Sequence, residues 1–313
     1  MKKVFDRIAS YLTKSPTRFF FVAAIAAFFV LWFVNAYSDP DGFSWHDVIV
    51  ESHGVLFDLL VFGILLSVYE ALREKKDKIE RLHEEIDDYR GWDEKEATYR
   101  IVGSIKRLNR LKINKIDISY CYLRNANLEK VNLQQANLED TNLENANLRG
   151  AKLQKAKLNG VRFKGAILQG VNFEKASLLC ADLRNTNLQE VNFSSAELFY
   201  ANFQGADLQE TNFEGANLEN TNFEEANLER INFISLDTDQ ESIINLGLKG
   251  ANFKGANLKG ANFKKANLNG VNLLEAIIPK DWFKKLKAWQ VIGREAIIEK
   301  YYIDENNRLQ LRH

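Results

Sequence analysis

Apolar side chains recur every five residues from Ile116 to Ile278. Each unit is built around a Leu or Phe, which we call its centre. From Ile118 to Phe233 there are 24 consecutive centres, and all of them are Leu or Phe except Ile118. The residue two positions before every centre is Ala, Val, Thr, Ile or Cys, and Asn stands just before the centre in 14 of the 24 units. A fixed period of this kind predicts one structural unit stacked on copies of itself.

The period of five fits neither a helix nor a long strand, because a helix needs apolar residues every three or four positions and a strand every second. Here an apolar pair at spacing two is followed by mostly polar residues. The pair predicts a minimal strand with both side chains inward. The polar residues predict a corner, where Asn and Gly tolerate left-handed backbone. The sequence therefore predicts an all-β solenoid that coils around a narrow axis.

The repeated residues carry a family resemblance. Residues 126–140 read ANLEK VNLQQ ANLED. This pattern, A-(N/D)-L-x-x, resembles that of the pentapeptide-repeat family and covers roughly half of the chain. The resemblance implies a right-handed quadrilateral β-helix with four units in each coil. With strands about 4.8 Å apart, about seven or eight coils over residues 116–278 would make a rod on the order of 35 Å long.

The centres themselves alternate in size. All nine Phe centres have residue numbers that end in 3, whereas nearly all centres that end in 8 are Leu. On a four-sided coil this predicts Phe on one pair of opposite faces and Leu on the other pair. We interpret the Phe residues as core, because such alternation favours close packing. They are Phe163, Phe173, Phe193, Phe203, Phe213, Phe223, Phe233, Phe253 and Phe263.

The pattern is interrupted over residues 234–247. The five-residue period continues in phase afterwards, because the centres Phe233 and Leu248 are three units apart. The interruption is expected to leave a corner as a surface loop. Insertions in repeat arrays often bind partners, and a loop without function fits the sequence equally well.

The first 115 residues have a different composition. Phe19 to Tyr37 is a run of 19 uncharged residues, enough for a membrane-spanning helix, and a cleaved signal peptide is the alternative. A second apolar segment, Val48 to Leu72, contains Asp58 about one turn from the expected membrane surface. Together they predict a two-helix transmembrane hairpin over residues 19–72. Asp58 is its candidate intramembrane polar residue.

Basic residues flank the predicted hairpin on both sides, whereas the turn between its helices, residues 38–47, has three Asp and no Lys or Arg. The positive-inside rule then predicts a multi-pass protein of a bacterial-type inner membrane, with both termini in the cytoplasm. Residues 1–18 place Val4, Phe5 and Ile8 on one helical face. They predict a basic amphipathic segment on the membrane surface.

Helical segments are expected at both ends of the repeats. Residues 73–115 predict a stalk with some coiled-coil heptad spacing, followed by a helix that caps the first coil. Residues 279–313 predict a second cap, made of a helix over 281–300 and a short hairpin with strands 301–303 and 309–311. Repeat arrays need such caps to cover the apolar end and unpaired edge of the terminal coil.

Neither composition nor motifs indicate catalysis. The chain has 42 basic and 42 acidic residues. Its four His and two Cys lack metal-ligand spacing, and no phosphate-loop, nucleophile-elbow or zinc-protease motif occurs. The sequence predicts no enzyme, no cofactor, no metal and no small-molecule substrate. Cys121 takes an inward position and Cys180 an outward one, too far apart for a disulfide.

Surface positions show two further patterns. Basic, acidic and basic bands follow one another over residues 149–164, 190–241 and 249–265. The outward positions after Leu178 and Leu198 are apolar, where other units are mostly polar. These centres are four units apart, which is one expected coil, so both outward pairs should lie on one face of neighbouring coils. An apolar patch on a polar rod predicts a contact surface. Its candidate residues are Leu179, Cys180, Phe199 and Tyr200.

Three functions are compatible with this organisation. The favoured one is a non-catalytic, membrane-tethered scaffold, whose cytoplasmic rod binds a protein partner or assembles as a homo-oligomer. An alternative is a membrane effector, a pore or sensor formed by the oligomerised hairpin, with the rod as its regulator. The family resemblance also implies a DNA-mimicking topoisomerase inhibitor, although that role suits a free and strongly acidic rod. Nucleic acid itself is not an expected partner.

Overall fold

The computed structural model describes residues 22, 25, 29, 33, 37, 45–231, 233, 248–264 and 266–312, and over residues 45–60 it describes the backbone alone. Two compact units divide the chain, Met1–Glu80 and Arg81–His313. The predicted amphipathic segment and the interruption over 234–247 lie outside the described residues. So does the first predicted span, apart from its five isolated positions.

Helix α1 runs from Trp45 to Asp88 as one element of 44 residues. The second predicted span is therefore the first part of a longer helix, which is rich in charge from Glu70 onward. In the part of the chain that the structure describes, no helix is both long enough and apolar enough to cross a membrane. The predicted multi-pass location in an inner membrane is wrong, and the transmembrane hairpin over residues 19–72 is not supported.

Helix α2, Lys95–Arg110, closes the first coil. Thr98 Oγ1 donates to the carbonyl of Tyr122 at 3.1 Å. The Asn109 amide donates to the Asn132 carbonyl and accepts from the Asn132 N–H, both at 2.7 Å. Asn109 thereby satisfies backbone groups of a strand edge that has no preceding coil to pair with. The buried apolar residues of α2 are Ala97, Ile101, Val102, Ile105 and Leu108.

The repeats form a β-helix with four faces. Parallel bridges join Asp117 to Asn137 and Tyr122 to Asn142, so that each bridge spans four units, and the same step recurs on the other two faces. Each coil therefore contains four units. All described centres between Ile118 and Ile278 are at most 1% exposed, which places the Leu, Phe and Ile side chains on the axis.

Each corner is a tight turn with one left-handed residue. After centre Leu123, the N–H of Ala126 donates to the Leu123 carbonyl at 3.1 Å, and Asn125 between them has a φ of 56°. The left-handed residue is the second one after the centre. Asn and Gly often fill this position, as expected, but Lys, Gln, Glu and Tyr fill it too.

Asn just before the centre serves two purposes. Its side-chain oxygen accepts the backbone N–H two residues on, as Asn222 does from Glu224 at 3.0 Å. Its amide nitrogen donates to the Asn of the preceding coil, as Asn222 does to Asn202 at 3.1 Å. The corner and the stacking of coils are thus stabilised by one residue type.

The Phe centres form two opposite columns, which confirms the predicted alternation. In one column Phe193 stacks on Phe173 and Phe213, with ring centroids 4.9 Å and 5.1 Å apart and the rings within 5° of parallel. In the other, Phe223 stacks on Phe203 at 5.1 Å. Across the axis the two columns meet edge to face, an arrangement that aromatic rings favour.

Among the described bridges that join one repeat to another, the register changes only across the interruption. Asn222 pairs with Asn252 and Asn227 with Asn257, a step of six units in place of four. The register therefore skips a length of chain equal to two units between Phe233 and Leu248. The step keeps Phe on Phe, because Phe253 stacks on Phe223 with centroids 5.1 Å apart.

Short elements cover the last coil. The helix predicted over 281–300 is two helices, α3 (Trp282–Ala288) and α4 (Arg294–Lys300), because Gln290 and Gly293 between them have left-handed backbone, with φ of 55° and 84°. Trp282 is fully buried and meets Phe263 edge to face. Strands β1, Tyr301–Ile303, and β2, Leu309–Leu311, pair antiparallel.

The hairpin also pairs with the rod. The N–H of Leu309 donates to the Ala276 carbonyl at 3.1 Å, so the open edge of the final coil is closed there.

Candidate functional site

One corner of the rod contains every residue of the predicted patch, and we call it the tyrosine corner. It is formed by the two residues after the centres 118, 138, 158, 178, 198 and 218. Backbone hydrogen bonds join its levels, for example from the Cys180 N–H to the Phe199 carbonyl at 3.0 Å. From the first level to the last, its residues are Ser119, Tyr120, Glu139, Asp140, Asn159, Gly160, Leu179, Cys180, Phe199, Tyr200, Glu219 and Asn220.

The apolar patch, Leu179, Cys180, Phe199 and Tyr200, occupies two neighbouring levels of this corner. Leu179 is 37% exposed and Tyr200 55% exposed, and the rings of Phe199 and Tyr200 lie 4.2 Å apart between centroids. The structure therefore brings together the four residues that the sequence singled out. Their role in binding stays a prediction.

A cavity of about 380 Å³ lies beside the patch, and we call it the notch. It exists because Gly160 has no side chain. A Cβ at Gly160 would lie 2.3 Å from the nearer carboxylate oxygen of Asp140, and the backbone there is left-handed with a φ of 68°. The residues around the notch include Tyr120, Glu139, Asp140, Asn159, Gly160 and Leu179.

Asn159 fixes the geometry of the notch through three hydrogen bonds. Its side-chain oxygen accepts from Ser177 Oγ at 2.6 Å and from the Leu179 N–H at 3.2 Å. Its amide nitrogen donates to Glu139 Oε1 at 3.1 Å. The Glu139 carboxylate is thereby held at the rim of the notch.

Sequence reasoning missed the notch and the exposed ring of Tyr120 at its far end, which is 59% exposed. Tyr120, Asp140, Gly160 and Cys180 follow one another at intervals of four units, so the register alone could have placed them in one column. Nothing in the local pattern joins them, because each lies in a different coil.

Asp58 and Cys121 are not among the residues that form this corner. Asp58 falls within α1, and its side chain is outside the described part of the chain. Cys121 is fully buried, and burial raises the pKa of its thiol to about 12. Among the described residues, no group of three or more His, Cys, Asp or Glu could hold a metal ion.

The charge bands meet through ion pairs. Lys254 lies 3.1 Å from Glu224, and Lys249 lies 3.9 Å from Glu219, each pair joining the second basic band to the acidic one across the register step. The acidic band is therefore partly neutralised at its end. Both pairs are partly exposed, so their contribution to stability is small.

Two family profiles match the repeats. "Pentapeptide repeat region" matches residues 156–233, and "Pentapeptide repeats (8 copies)" matches residues 121–160 and 248–277. The chain belongs to the pentapeptide-repeat family. The four-faced coil of this pentapeptide-repeat protein is accordingly a right-handed quadrilateral β-helix. None of the curated proteins compared with it matches its sequence.

Three solved structures are similar to part of this chain. HetL of the cyanobacterium Nostoc sp. strain PCC 7120, involved in heterocyst differentiation regulation, is 26% identical over 57% of this chain and 97% of its own, with a TM-score of 0.19. QnrB1, a plasmid-mediated fluoroquinolone resistance protein, is 19% identical over 50% and 79%, with a TM-score of 0.25. Rfr23 of Cyanothece 51142 is 22% identical over 56% and 95%, also at 0.25. At such TM-scores none of them carries a functional argument.

Proposed function

We propose that the pentapeptide-repeat rod, residues 116–278, is a non-catalytic protein-binding element. It associates through the apolar patch, either with a second copy of this chain or with another protein. The observation that carries the proposal is the apolar surface that exposed Leu179 and Tyr200 form with half-buried Phe199, on a rod whose outward positions are mostly polar. The proposal keeps the predicted division into a repeat region over 116–278 and capping segments over 73–115 and 279–313.

Exposing the patch to water is unfavourable in free energy unless a partner covers it. Exposed apolar surface forgoes roughly 25 cal/mol for each Å² that a partner could cover. Tyr200 also has a left-handed backbone, with a φ of 60°, where Gly or Asn would be less strained. Lys130, Gln135 and Glu190 adopt the same conformation at the same position of their units, so the patch is distinguished by its apolar surface and not by its backbone.

The test compares two double variants of the full chain. Phe199→Ser with Tyr200→Ser removes the rings of the patch, and Gln189→Ser with Glu190→Ser changes the same two positions on another corner. Because outward residues do not contribute to the core, both variants should melt like the unaltered protein. We expect the first to weaken association at least tenfold, measured as mass by sedimentation and as partners captured by crosslinking. The second should change neither.

An unchanged mass and an unchanged set of crosslinked partners in the patch variant would contradict the proposal. The two alternatives drawn from the sequence are not favoured. The pore or sensor required the membrane hairpin, and the described helices do not provide it. A DNA mimic requires continuous negative charge, whereas Lys249 and Lys254 form ion pairs with the acidic band.

A further inference from the structure

The tyrosine corner differs from the other three in charge. Between residues 119 and 220 it contains Glu139, Asp140 and Glu219 but no Lys or Arg. The other corners contain at least two cations each over the same coils. Those cations are Arg124, Lys164 and Arg184 on the second corner, Lys130 and Arg149 on the third, and Lys155 and Lys175 on the fourth.

The carboxylates of the notch have no cationic partner in the described part of the rod. Glu139 accepts a hydrogen bond from Asn159, which is neutral. The Asp140 carboxylate lies over Gly160, at an exposed level of the corner. Among the described residues, Lys157 and Arg162 on the strands to either side form no ion pair with them. An anionic site is therefore open next to an apolar one.

We propose that the notch and the apolar patch together bind one extended segment of a protein partner that carries Lys or Arg close to an apolar residue. This inference rests on the proposed function and names the partner's chemistry. The cation contacts Glu139 and Asp140 between the rings of Tyr120 and the apolar patch. The apolar residue packs on Leu179 and Tyr200.

The dimensions suit a short segment. Tyr120 and Tyr200 are four coils apart, which is about 19 Å at roughly 4.8 Å for each coil. An extended chain covers that distance in about six residues at roughly 3.3 Å each. The rings of Tyr120 and Tyr200, one at each end, can each also bind a cation over the ring face.

Charge argues against a second copy of this corner as the occupant. A two-fold axis through the corner runs one column antiparallel to the other. Over residues 119–220 the column has carboxylates and no cation of its own, and the cations at its two ends, Arg90 and Lys249, already pair with Asp117 and Glu219. Such a pairing therefore brings no unpaired cation against a carboxylate. It sets acid against acid or acid against the apolar patch, which disfavours association. A basic partner meets neither problem.

The experiment uses the full chain and a phage-displayed library of random octapeptides. We expect enriched peptides to contain Lys or Arg within a few residues of an apolar side chain. One such peptide, made synthetically, should bind at least tenfold more weakly to Glu139→Gln with Asp140→Asn, and to Leu179→Ser. The matched control, Glu190→Gln with Glu210→Gln, removes two carboxylates from a different corner and should stay within twofold.

Several results would overturn the inference. These are a selection with no enrichment, enriched peptides without basic residues, and equal losses in the Glu139/Asp140 and Glu190/Glu210 variants. A change in the sedimenting mass of the Glu139/Asp140 variant would instead identify a second copy as the occupant. If the Phe199/Tyr200 variant loses association while the peptide result fails, the proposed function stands without this inference. If neither has an effect, both fall.

Discussion

At the scale of single residues, backbone strain is expected at the second residue after each centre, where the backbone is left-handed and a Gly would relieve the strain. A residue with a Cβ costs roughly 1–2 kcal/mol in that conformation. Gln135 is such a residue, with a φ of 61°, an exposed side chain and a backbone N–H that donates to the Gln154 carbonyl. Its side chain adds no charge to the corner, so a substitution there isolates the backbone effect.

We expect Gln135→Gly to stabilise the rod by about 0.5–1 kcal/mol, because relief of strain exceeds the roughly 0.4–1 kcal/mol that Gly adds to the entropy of the unfolded chain. Urea unfolding of the full chain measures the difference. The matched control is Asn137→Gly, which should destabilise, because the Asn137 side chain accepts the Glu139 N–H at 3.2 Å. A loss of stability in Gln135→Gly would contradict the strain argument.

At the scale of elements, the caps decide how the terminal coils meet solvent. The first coil exposes strand edges that would pair with another chain if they were left open. Helix α2 closes one of them with a side chain, because the Asn109 amide offers a donor and an acceptor at the spacing of a peptide group. At the other end a strand, β2, performs the same task.

Replacement of Asn109 by Ala should therefore cost about 1–3 kcal/mol, since the N–H and carbonyl of Asn132 lose their partners in a half-buried place. Thermal unfolding and the rate of amide exchange at Asn132 measure it. Arg110→Ala, one residue further along α2, is the control and should cost less than about 0.5 kcal/mol. Equal losses in the two variants would show that the pairing is unimportant.

At the scale of the whole molecule, stability depends on the phase of the Phe columns. Removal of one unit, residues 184–188, would bring Phe193 over a Leu column and break the stacks at the junction. Removal of two units, residues 184–193, returns Phe203 to a Phe column. The larger deletion should therefore be the less harmful one, although it removes more core.

We expect the one-unit deletion to be less stable than the two-unit deletion by about 2–4 kcal/mol, from lost ring stacks and overpacking at the junction. Chemical unfolding of both variants, with the unaltered chain as reference, gives the comparison. Equal stabilities, or a more stable one-unit deletion, would mean that Leu and Phe columns are interchangeable.

The sequence predicted the rod well because its information is local. Two inward residues and a corner repeat at a fixed step, so the alternation of Leu and Phe followed without knowledge of distant contacts. The transmembrane hairpin was inferred from apolar composition alone, and that is where the prediction was not supported. The notch was missed because Tyr120, Asp140 and Gly160 belong to successive coils and meet only when those coils stack.

The two Phe columns also bear on how such a rod can change its length in evolution. Because the columns are opposite, a gain or loss of two units exchanges one Phe column for the other and keeps the Phe centres in Phe columns. The register step between Asn222 and Asn252 shows that a length of two units can also be skipped while Phe223 and Phe253 stay stacked. A gain of one unit would instead place Phe centres over Leu columns. We therefore expect this solenoid to gain or lose repeats in pairs during evolution.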